Sequence, residues 1–341
     1  MTSSWAGSLD TSGIGRAENG VVSSQILEAL QLHPVRIPMR HRFRRIDHRE
    51  AVLIKGPTGW GEFSPFADYE SKTTTRWLAS AREAACSSFP EPGRDRIPFN
   101  ATIPSVTPEV AAALVLESGA RTAKVKGGDP GGTPEKDFER LEAVSDALGP
   151  EGRLRIDVNA RWDVEEATVR LEALSGFELE YVEQPVATMD EMLELKRRTG
   201  VRLAADEIVR RSPNPFEVVE RGAADVLILK VQPMGGVSRV LDFASRAPLP
   251  VVISSALETS VGMYSGLLAA SLLDELPYDC GLGTVALLEG DPTLEPRIGF
   301  DGYIDVKRVD PDPELLVRWR PDRTRSAEML RKVRAAAEVL T

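Results

Sequence analysis

Three acidic residues occupy corresponding positions in successive short apolar runs: Asp157 in RLRIDVN, Glu183 in YVEQP and Asp206 in LAADE. Their spacing is close to one strand–helix repeat of a parallel barrel, so the carboxylates are predicted to stand side by side at the barrel rim. Three carboxylates are hard oxygen ligands that suit Mg²⁺, and Mn²⁺ can substitute for it. Any one of these acids could equally be a helix cap or an ion-pair partner, but three in register favour a metal site.

Lysines flank this acidic row in the sequence. Lys124 and Lys126 lie in AKVKGG before the first acid, and Lys230 lies in LILKVQP after the last one. Residues two apart on a strand share a face, so Lys124 and Lys126 are predicted to point the same way. A partly desolvated lysine beside another cation has a lowered pKa and can act as a general base, although an isolated KxK is more often a solvated basic rim.

A metal between two lysine-bearing flanks can support proton abstraction. A substrate carboxylate bound to Mg²⁺ becomes an electron sink, which makes the neighbouring C–H bond easier to ionise and neutralises the enediolate that forms. The residues therefore indicate an enzyme that acts on a small-molecule carboxylate substrate.

The elements that position these residues alternate short β-branched runs with helix-like segments such as EKDFERLEAVSDALG. The predicted strands are Phe99–Ile103, Thr122–Lys126, Leu154–Asn159, Tyr181–Glu183, Leu203–Asp206, Val226–Val231, Val251–Ser255 and Asp279–Leu282. This order indicates parallel βαβ units, and eight of them predict a (β/α)8 barrel over residues 99–284 with its active site at the carboxyl ends of the strands. The alternative, an open doubly wound sheet, lacks its GxGxxG fingerprint here.

The two ends of the chain read differently from the barrel. Residues 25–98 contain predicted strands at Leu32–Ile37 and Glu50–Lys55, a hairpin-like GPTGWGEFSPF and a helical TTTRWLASAREAAC. Residues 285–341 return from the last strand into a polar helical tail. We expect these parts to form one α+β domain that caps the barrel mouth, preceded by a flexible tail over residues 1–24.

Composition limits the partners. The net charge of −10 and the pI near 5.1 argue against nucleic acid and anionic membrane as partners. Cys86 and Cys280 lie far apart without a CxxC motif, the N-terminus lacks the pattern of a signal peptide, and the most apolar stretch contains Glu258. A cytoplasmic location is expected, and the oligomeric state stays open.

The motifs GWGEFSPF, AKVKGG, RIDVNARW, YVEQP, AADE, ADVLILKVQPMGGV and SSALETSVG follow one another in this order. In this set and order, the chain resembles the muconate-lactonising subgroup of the enolase superfamily, over nearly its whole length. The resemblance implies that Asp157, Glu183 and Asp206 bind Mg²⁺. It further implies that Asn159 is not itself a metal ligand but helps to position Asp157.

The resemblance also implies a role for each lysine. Lys126 would remove the α-proton and then protonate a departing hydroxyl, Lys124 would tune Lys126 and touch the substrate carboxylate, and Lys230 would stabilise the intermediate from the opposite face. Loop Pro38–Arg49, which holds PMRHRFRRIDHR between two predicted strands, would close over the site, although a solvated mobile loop would look the same.

Substrate contacts are expected at the last two strands. Ser254 and Ser255 end the seventh strand, where a hydroxyl or N–H could meet the substrate, and a serine pair there is as often turn chemistry. Gly281 could let the backbone approach the ligand, and glycine at a tight barrel corner is an equally good explanation.

Three functions are compatible with these residues. The first is a lyase that eliminates water next to a carboxylate, and the second is an amino-acid racemase or dipeptide epimerase of the same superfamily, which shares the proton-abstraction step. The third is a non-catalytic barrel that serves as a binding protein, and the retention of three acids and three lysines argues against it.

Overall fold

A computed structural model describes residues 30–69, 71–128 and 133–340. The predicted tail over residues 1–24 lies outside the described residues. Within them, no helix is long and apolar enough to span a lipid bilayer.

The N-terminal part forms a three-stranded antiparallel sheet of β1 (Gln31–Phe43), β2 (Ile46–Lys55) and β3 (Trp60–Phe63). Helix α1 (Ser71–Cys86) packs against β3, and the C-terminal helix packs against α1. Val52, Ile54 and the helix residues beside them are buried because alternate strand positions and one helix face point into a shared core. We call this unit the cap.

The prediction that Pro38–Arg49 forms a loop is wrong. Strands β1 and β2 continue through it as a hairpin, with Phe43 paired to Ile46 and a turn at Arg44 and Arg45, both at positive φ. The sequence favoured a loop because this segment is dense in arginine and also contains two histidines. β1 lies at the edge of its sheet, where a proline without an N–H is tolerated, and the pairing shifts register between Pro38 and Phe43.

The barrel strands follow in chain order, with one short strand on each side of them. They are β4 (Arg96–Pro98), β5 (Asn100–Ile103), β6 (Thr122–Lys126), β7 (Arg153–Asp157), β8 (Leu179–Glu183), β9 (Leu203–Ala205), β10 (Val226–Leu229), β11 (Val251–Ile253) and β12 (Tyr303–Asp305). Strands β5 to β11 form one parallel sheet in sequential order, and β4 pairs antiparallel with β12.

The eighth barrel position is filled by residues 279–282 through single bridges. Cys280 bridges Phe99 on one side, and Gly281 bridges Ser254 on the other. The backbone hydrogen bonds from Asn100 to Cys280 and from Ser255 to Gly281 connect this stretch to both edges of the sheet. The predicted (β/α)8 barrel is therefore confirmed, with a final strand that is too short to form a regular ladder.

The helices up to residue 272 connect the strands and cover the barrel, and two more helices follow near the C-terminus, of which the last packs in the cap. They are α2 (Pro108–Ser118), α3 (Pro134–Leu148), α4 (Val164–Ala173), α5 (Met189–Thr199), α6 (Glu207–Arg210), α7 (Glu217–Glu220), α8 (Val231–Met234), α9 (Val237–Arg246), α10 (Ser260–Leu272), α11 (Pro313–Arg318) and α12 (Arg323–Val339). A capping box of Thr188 and Glu191 begins α5, and left-handed glycines end α2 and α5 at Gly119 and Gly200.

The cap and the barrel have separate cores that meet at the barrel mouth. Ala256 and Leu257, which follow β11, and Leu287 and Leu288, which follow the eighth stretch, are buried in the core of the cap rather than in that of the barrel. The segments that leave the last two barrel strands are thus held by the cap.

Candidate active site

The predicted site residues meet at the carboxyl ends of adjacent parallel strands. Lys126 and Asp157 are the last residues of β6 and β7, Glu183 ends β8, Asp206 follows β9, and Lys230 follows β10. All five are buried. Because neighbouring parallel strands end at the same rim, this order places the acids in a row with a lysine at each end.

Lys124 bridges two of the acids. Its Nζ donates to Glu183 Oε2 over 2.9 Å and lies 3.4 Å from Asp157 Oδ2. Burial by itself would lower the pKa of Lys124, but the attraction of Glu183 and Asp157 outweighs burial and raises it. Lys124 is therefore a permanent positive charge that holds two carboxylates together.

Lys126 has a different electrostatic environment on the same strand face. It forms a close ion pair with Asp157 and donates to Asn159 Oδ1 over 2.7 Å. Burial lowers the pKa of Lys126, and the positive charge of Lys124 adds to that effect, while Asp157 opposes it. The direction of the shift is the one that a general base requires.

Lys230 lies at the other end of the acidic row. Its Nζ donates to Asp206 Oδ2 over 2.6 Å, and Arg210 Nε donates to Asp206 Oδ1 over 2.8 Å. The sequence reasoning missed Arg210. The signal was its position four residues after Asp206, since a helix that starts at the acid brings these two side chains together.

Backbone conformation at the rim supports the row. Asn159, two residues after β7, and Gln184, directly after β8, adopt left-handed conformations with φ of 53° and 38°. The N–H of Asn159 donates to Asp157 Oδ1 over 3.1 Å, and Gln184 Oε1 accepts from the N–H of Asp206 over 3.0 Å. Gln184 was a further residue that the sequence reasoning missed, although it lies within the YVEQP motif.

The acidic row has the chemistry of a cation site. Among residues 30–69, 71–128 and 133–340, no group of acidic, histidine or cysteine side chains already has the arrangement of a metal site. The acids face lysines and Arg210 instead. Glu183 Oε1 is nevertheless buried without a hydrogen-bond partner. Burial and the neighbouring carboxylates of Asp157 and Asp206 raise the pKa of Glu183, so a divalent cation would relieve an electrostatic cost that the protein alone leaves in place.

The predicted substrate residues lie at the same rim, where protein contacts hold them. Ser254 Oγ donates to the Gly281 carbonyl over 3.3 Å, and Ser255 Oγ lies 2.6 Å from Thr284 Oγ1. A Cβ on Gly281 would lie 2.4 Å from Ser254 Oγ, so close packing against that serine requires glycine here. Ser254, Ser255 and Gly281 still line the central cavity.

The central cavity is small and closed by the cap. It encloses about 20 Å³, which is room for little more than a water molecule, and Phe43, Arg44 and Phe66 of the cap line it together with Lys124, Lys126, Asp157 and Lys230. An outer cleft of about 690 Å³ lies beside it. Arg44 and Phe66 line both spaces and therefore form the boundary between them.

Comparison with known proteins places this fold and site in a class. Residues 107–311 match the family described as enolase C-terminal domain-like, and residues 35–85 match the family described as enolase N-terminal domain-like. The chain therefore belongs to the enolase superfamily, whose enzymes depend on a divalent metal ion. The resemblance drawn from the sequence motifs is confirmed.

Individual relatives are identical to this chain at about half of the aligned positions over most of its length. The chain is 50% identical over 302 residues to an o-succinylbenzoate synthase of Thermobifida fusca, with 89% of this chain and 95% of the relative covered. It is 48% identical over 294 residues to an o-succinylbenzoate synthase of Mycobacterium tuberculosis, with 85% and 89% covered.

Solved structures of other activities share the fold. The muconate lactonizing enzyme from Pseudomonas fluorescens, complexed with muconolactone, has a TM-score of 0.73 at 20% identity, covering 86% of this chain and 98% of the enzyme. The N-succinyl Arg/Lys racemase from Bacillus cereus has a TM-score of 0.71 at 17% identity, covering 85% and 97%. At these identities the likeness concerns architecture.

Proposed function

We propose that the chain is an o-succinylbenzoate synthase, a lyase of menaquinone biosynthesis. The observation that carries this proposal is the identity of 47–50% to several o-succinylbenzoate synthases over 85–89% of the chain. The reaction is a syn elimination of water from 2-succinyl-6-hydroxy-2,4-cyclohexadiene-1-carboxylate to give 2-succinylbenzoate. The ring becomes aromatic, which supplies driving force.

Lys126 is the proposed acid–base residue. As the free amine it takes the proton from the ring carbon that carries the carboxylate. The electron pair left behind first moves into the carboxylate to give an enediolate. It then returns to form the new ring double bond as the C–O bond to the hydroxyl breaks, and the proton on Lys126 leaves with the hydroxyl as water. One lysine can serve both steps because proton and hydroxyl depart from the same face. The pKa of Lys126, lowered by burial and by Lys124, supports this role.

Asp157, Glu183 and Asp206 are the proposed ligands of Mg²⁺, and Mn²⁺ can substitute for it. When bound, the cation neutralises the charge that develops on the substrate carboxylate during proton removal. Asn159 orients Asp157 through its backbone N–H and also accepts from Lys126, so it couples the ligand to the base.

Lys230 is the proposed electrostatic partner on the opposite flank. It lies across the acidic row from Lys126 and is held by Asp206, so during dehydration it acts by its positive charge and does not transfer the proton. Lys124 maintains the spacing of Asp157 and Glu183. Ser254, Ser255 and Gly281 are the proposed contacts for the succinyl side chain.

Substrate entry requires the cap to move. A cavity of about 20 Å³ cannot hold a cyclohexadiene with a succinyl group. The boundary with the outer cleft is formed by Arg44 and Phe66, both from the cap, and we propose that opening takes place there.

We also propose the domain division expected from the sequence, with residues 25–98 and 285–341 assigned to the cap and 99–284 to the barrel.

A direct assay tests the function. The purified protein is offered the cyclohexadiene substrate and, separately, N-succinyl amino acids, each with and without Mg²⁺. We expect Mg²⁺-dependent appearance of 2-succinylbenzoate at a kcat/KM well above that for racemisation. Racemisation with no dehydration would replace the proposal by the racemase alternative, and inactivity toward both substrate classes would contradict an enzyme of either kind.

A further inference from the structure

The loop that follows strand β11 has an unusual conformation for a segment that lines an active site. Residues 254–257 line the central cavity, and Leu257 adopts a left-handed backbone with φ of 63°. A leucine in this region is strained unless its surroundings hold it there. We call these residues the strand-seven loop, since β11 is the seventh barrel strand.

The group that holds this loop comes from the cap. Arg49 of β2 is 2% exposed. Its Nε donates to the Leu257 carbonyl over 2.8 Å, and its Nη2 donates to the Ala256 carbonyl over 2.9 Å and also to the Ser64 carbonyl. One guanidinium thus ties two consecutive carbonyls of a barrel loop to the backbone of the cap.

Other buried contacts reinforce the same connection. Glu258 Oε2 accepts from the N–H of Ala256 over 2.6 Å, which closes the turn from the barrel side. Gln232 Nε2 donates to Glu258 Oε1 over 3.3 Å and to Ser64 Oγ over 3.0 Å. Burial lowers the pKa of Arg49, and the nearby carboxylates of Glu62 and Glu258 partly offset that effect.

We infer that Arg49 is a positioning residue for substrate recognition: it fixes the strand-seven loop so that Ser254 and Ser255 face the substrate. Arginine is suited to this task because its planar fork reaches several carbonyls at once, whereas the single ammonium of lysine cannot span them in the same geometry. Arg49 does not reach the reacting atoms itself. It makes the substrate pocket of the barrel depend on a residue of the cap.

This inference rests on the proposed function for its choice of substrate, and a matched control exists elsewhere in the chain. Arg308 donates to the carbonyls of Thr58, Trp60 and Ala84, so it also joins one guanidinium to three carbonyls, but none of them lines the central cavity. Arg308 is less buried than Arg49, so the comparison concerns KM and not stability. A purely structural role for Arg49 predicts that substitutions at Arg49, like those at Arg308, leave KM unchanged.

The experiment compares Arg49→Lys and Arg49→Met with Arg308→Lys and Arg308→Met. We measure kcat and KM for the cyclohexadiene substrate, together with amide hydrogen exchange of residues 254–259. For the Arg49 variants we expect KM to rise about tenfold or more with a smaller change in kcat, since the loss corresponds to one or two hydrogen bonds, and we expect faster exchange in the loop. The Arg308 variants should stay within about twofold of the wild-type KM.

The outcomes are separable. Wild-type KM and wild-type loop exchange in Arg49→Lys would overturn the inference even if Arg49→Met fails to fold, because lysine retains the charge and most of the volume. Equal effects in the Arg49 and Arg308 variants would reduce Arg49 to a structural residue. Failure of the wild-type enzyme to dehydrate the substrate would reject the proposed function alone, and loop exchange would still decide the role of Arg49.

Discussion

Lys230 donates a hydrogen bond of 2.6 Å to Asp206, the last acid of the row, while Lys126 pairs with Asp157, the first. The two ammonium groups therefore stand at opposite ends of the three carboxylates. A substrate carboxylate bound between them would have one lysine on each side. Substitution of each lysine can therefore distinguish dehydration, which needs one base, from racemisation, which needs two.

The first prediction follows from this placement. Lys126→Ala should abolish dehydration almost completely because it removes the proposed base. Lys230→Arg should retain measurable dehydration because it keeps a cation that cannot act as a base. Initial rates of both variants with the cyclohexadiene substrate test this. Our assignment of the base is wrong if Lys126→Ala dehydrates like wild type, or if Lys230→Arg is inactive with metal affinity intact.

The same two variants can be examined by proton exchange. In D₂O, N-succinyl amino acids serve as probes of each face, and each lysine should exchange the α-proton of one enantiomer only. We expect Lys126→Ala and Lys230→Arg to lose exchange for opposite enantiomers. Loss of exchange for both enantiomers in a single variant would indicate that the two lysines do not act on separate faces.

The second prediction concerns the metal. Chelation should eliminate turnover, and Mg²⁺ or Mn²⁺ should restore it, since both are hard cations that suit three carboxylates. Glu183→Gln should weaken Mg²⁺ binding, measured by calorimetry, while circular dichroism shows a folded barrel. Full turnover in chelator would exclude the proposed metal role, and an unfolded Glu183→Gln would point to a structural role for this carboxylate.

The third prediction concerns entry into the site. Arg44 lies 4.5 Å above the ring of Phe66, and its Nη2 lies 3.6 Å from Glu207 Oε1. Arg44→Ala removes both contacts at the boundary between cavity and cleft, so we expect a change of KM or kcat with unchanged Mg²⁺ affinity, because the proposed ligands are all in the barrel. Exposed Arg42 of the same hairpin serves as the control for loss of charge. Identical kinetics in Arg44→Ala and wild type would exclude this boundary as the gate.

The fourth prediction concerns the pH dependence of stability. Burial and the neighbouring carboxylate of Glu258 raise the pKa of Glu62 to about 7. The carboxyl group of an unfolded glutamate has a pKa of about 4.3, so the folded state holds the proton more tightly. The resulting stabilisation is complete below about pH 4.3 and is lost as pH rises through about 7, by an amount on the order of 3–4 kcal/mol.

The test compares melting temperatures of wild type and Glu62→Gln across this pH range. Glutamine cannot titrate, so the decline in stability with rising pH should be shallower in the variant. The absolute melting temperature will also fall, because Glu62 accepts hydrogen bonds from the N–H groups of Thr259 and Gly262. Parallel pH profiles in the two proteins would contradict the assignment of this titration to Glu62.

The barrel and the residues at its rim could be predicted from the sequence alone. Strand and helix periods are local properties, and parallel strands all end at one edge, so residues such as Asp157 and Glu183 could be placed together without coordinates.

How these residues are held and what covers them depends on the packing of the folded chain. The hairpin at Pro38–Arg49 depends on pairing between strands, which a segment rich in arginine conceals. The contact of Arg210 with Asp206 depends on where a short helix starts, and the contact of Arg49 with Leu257 joins residues 208 positions apart. Such long-range contacts leave no periodic signal in one sequence because they result from the packing of two separately folded cores.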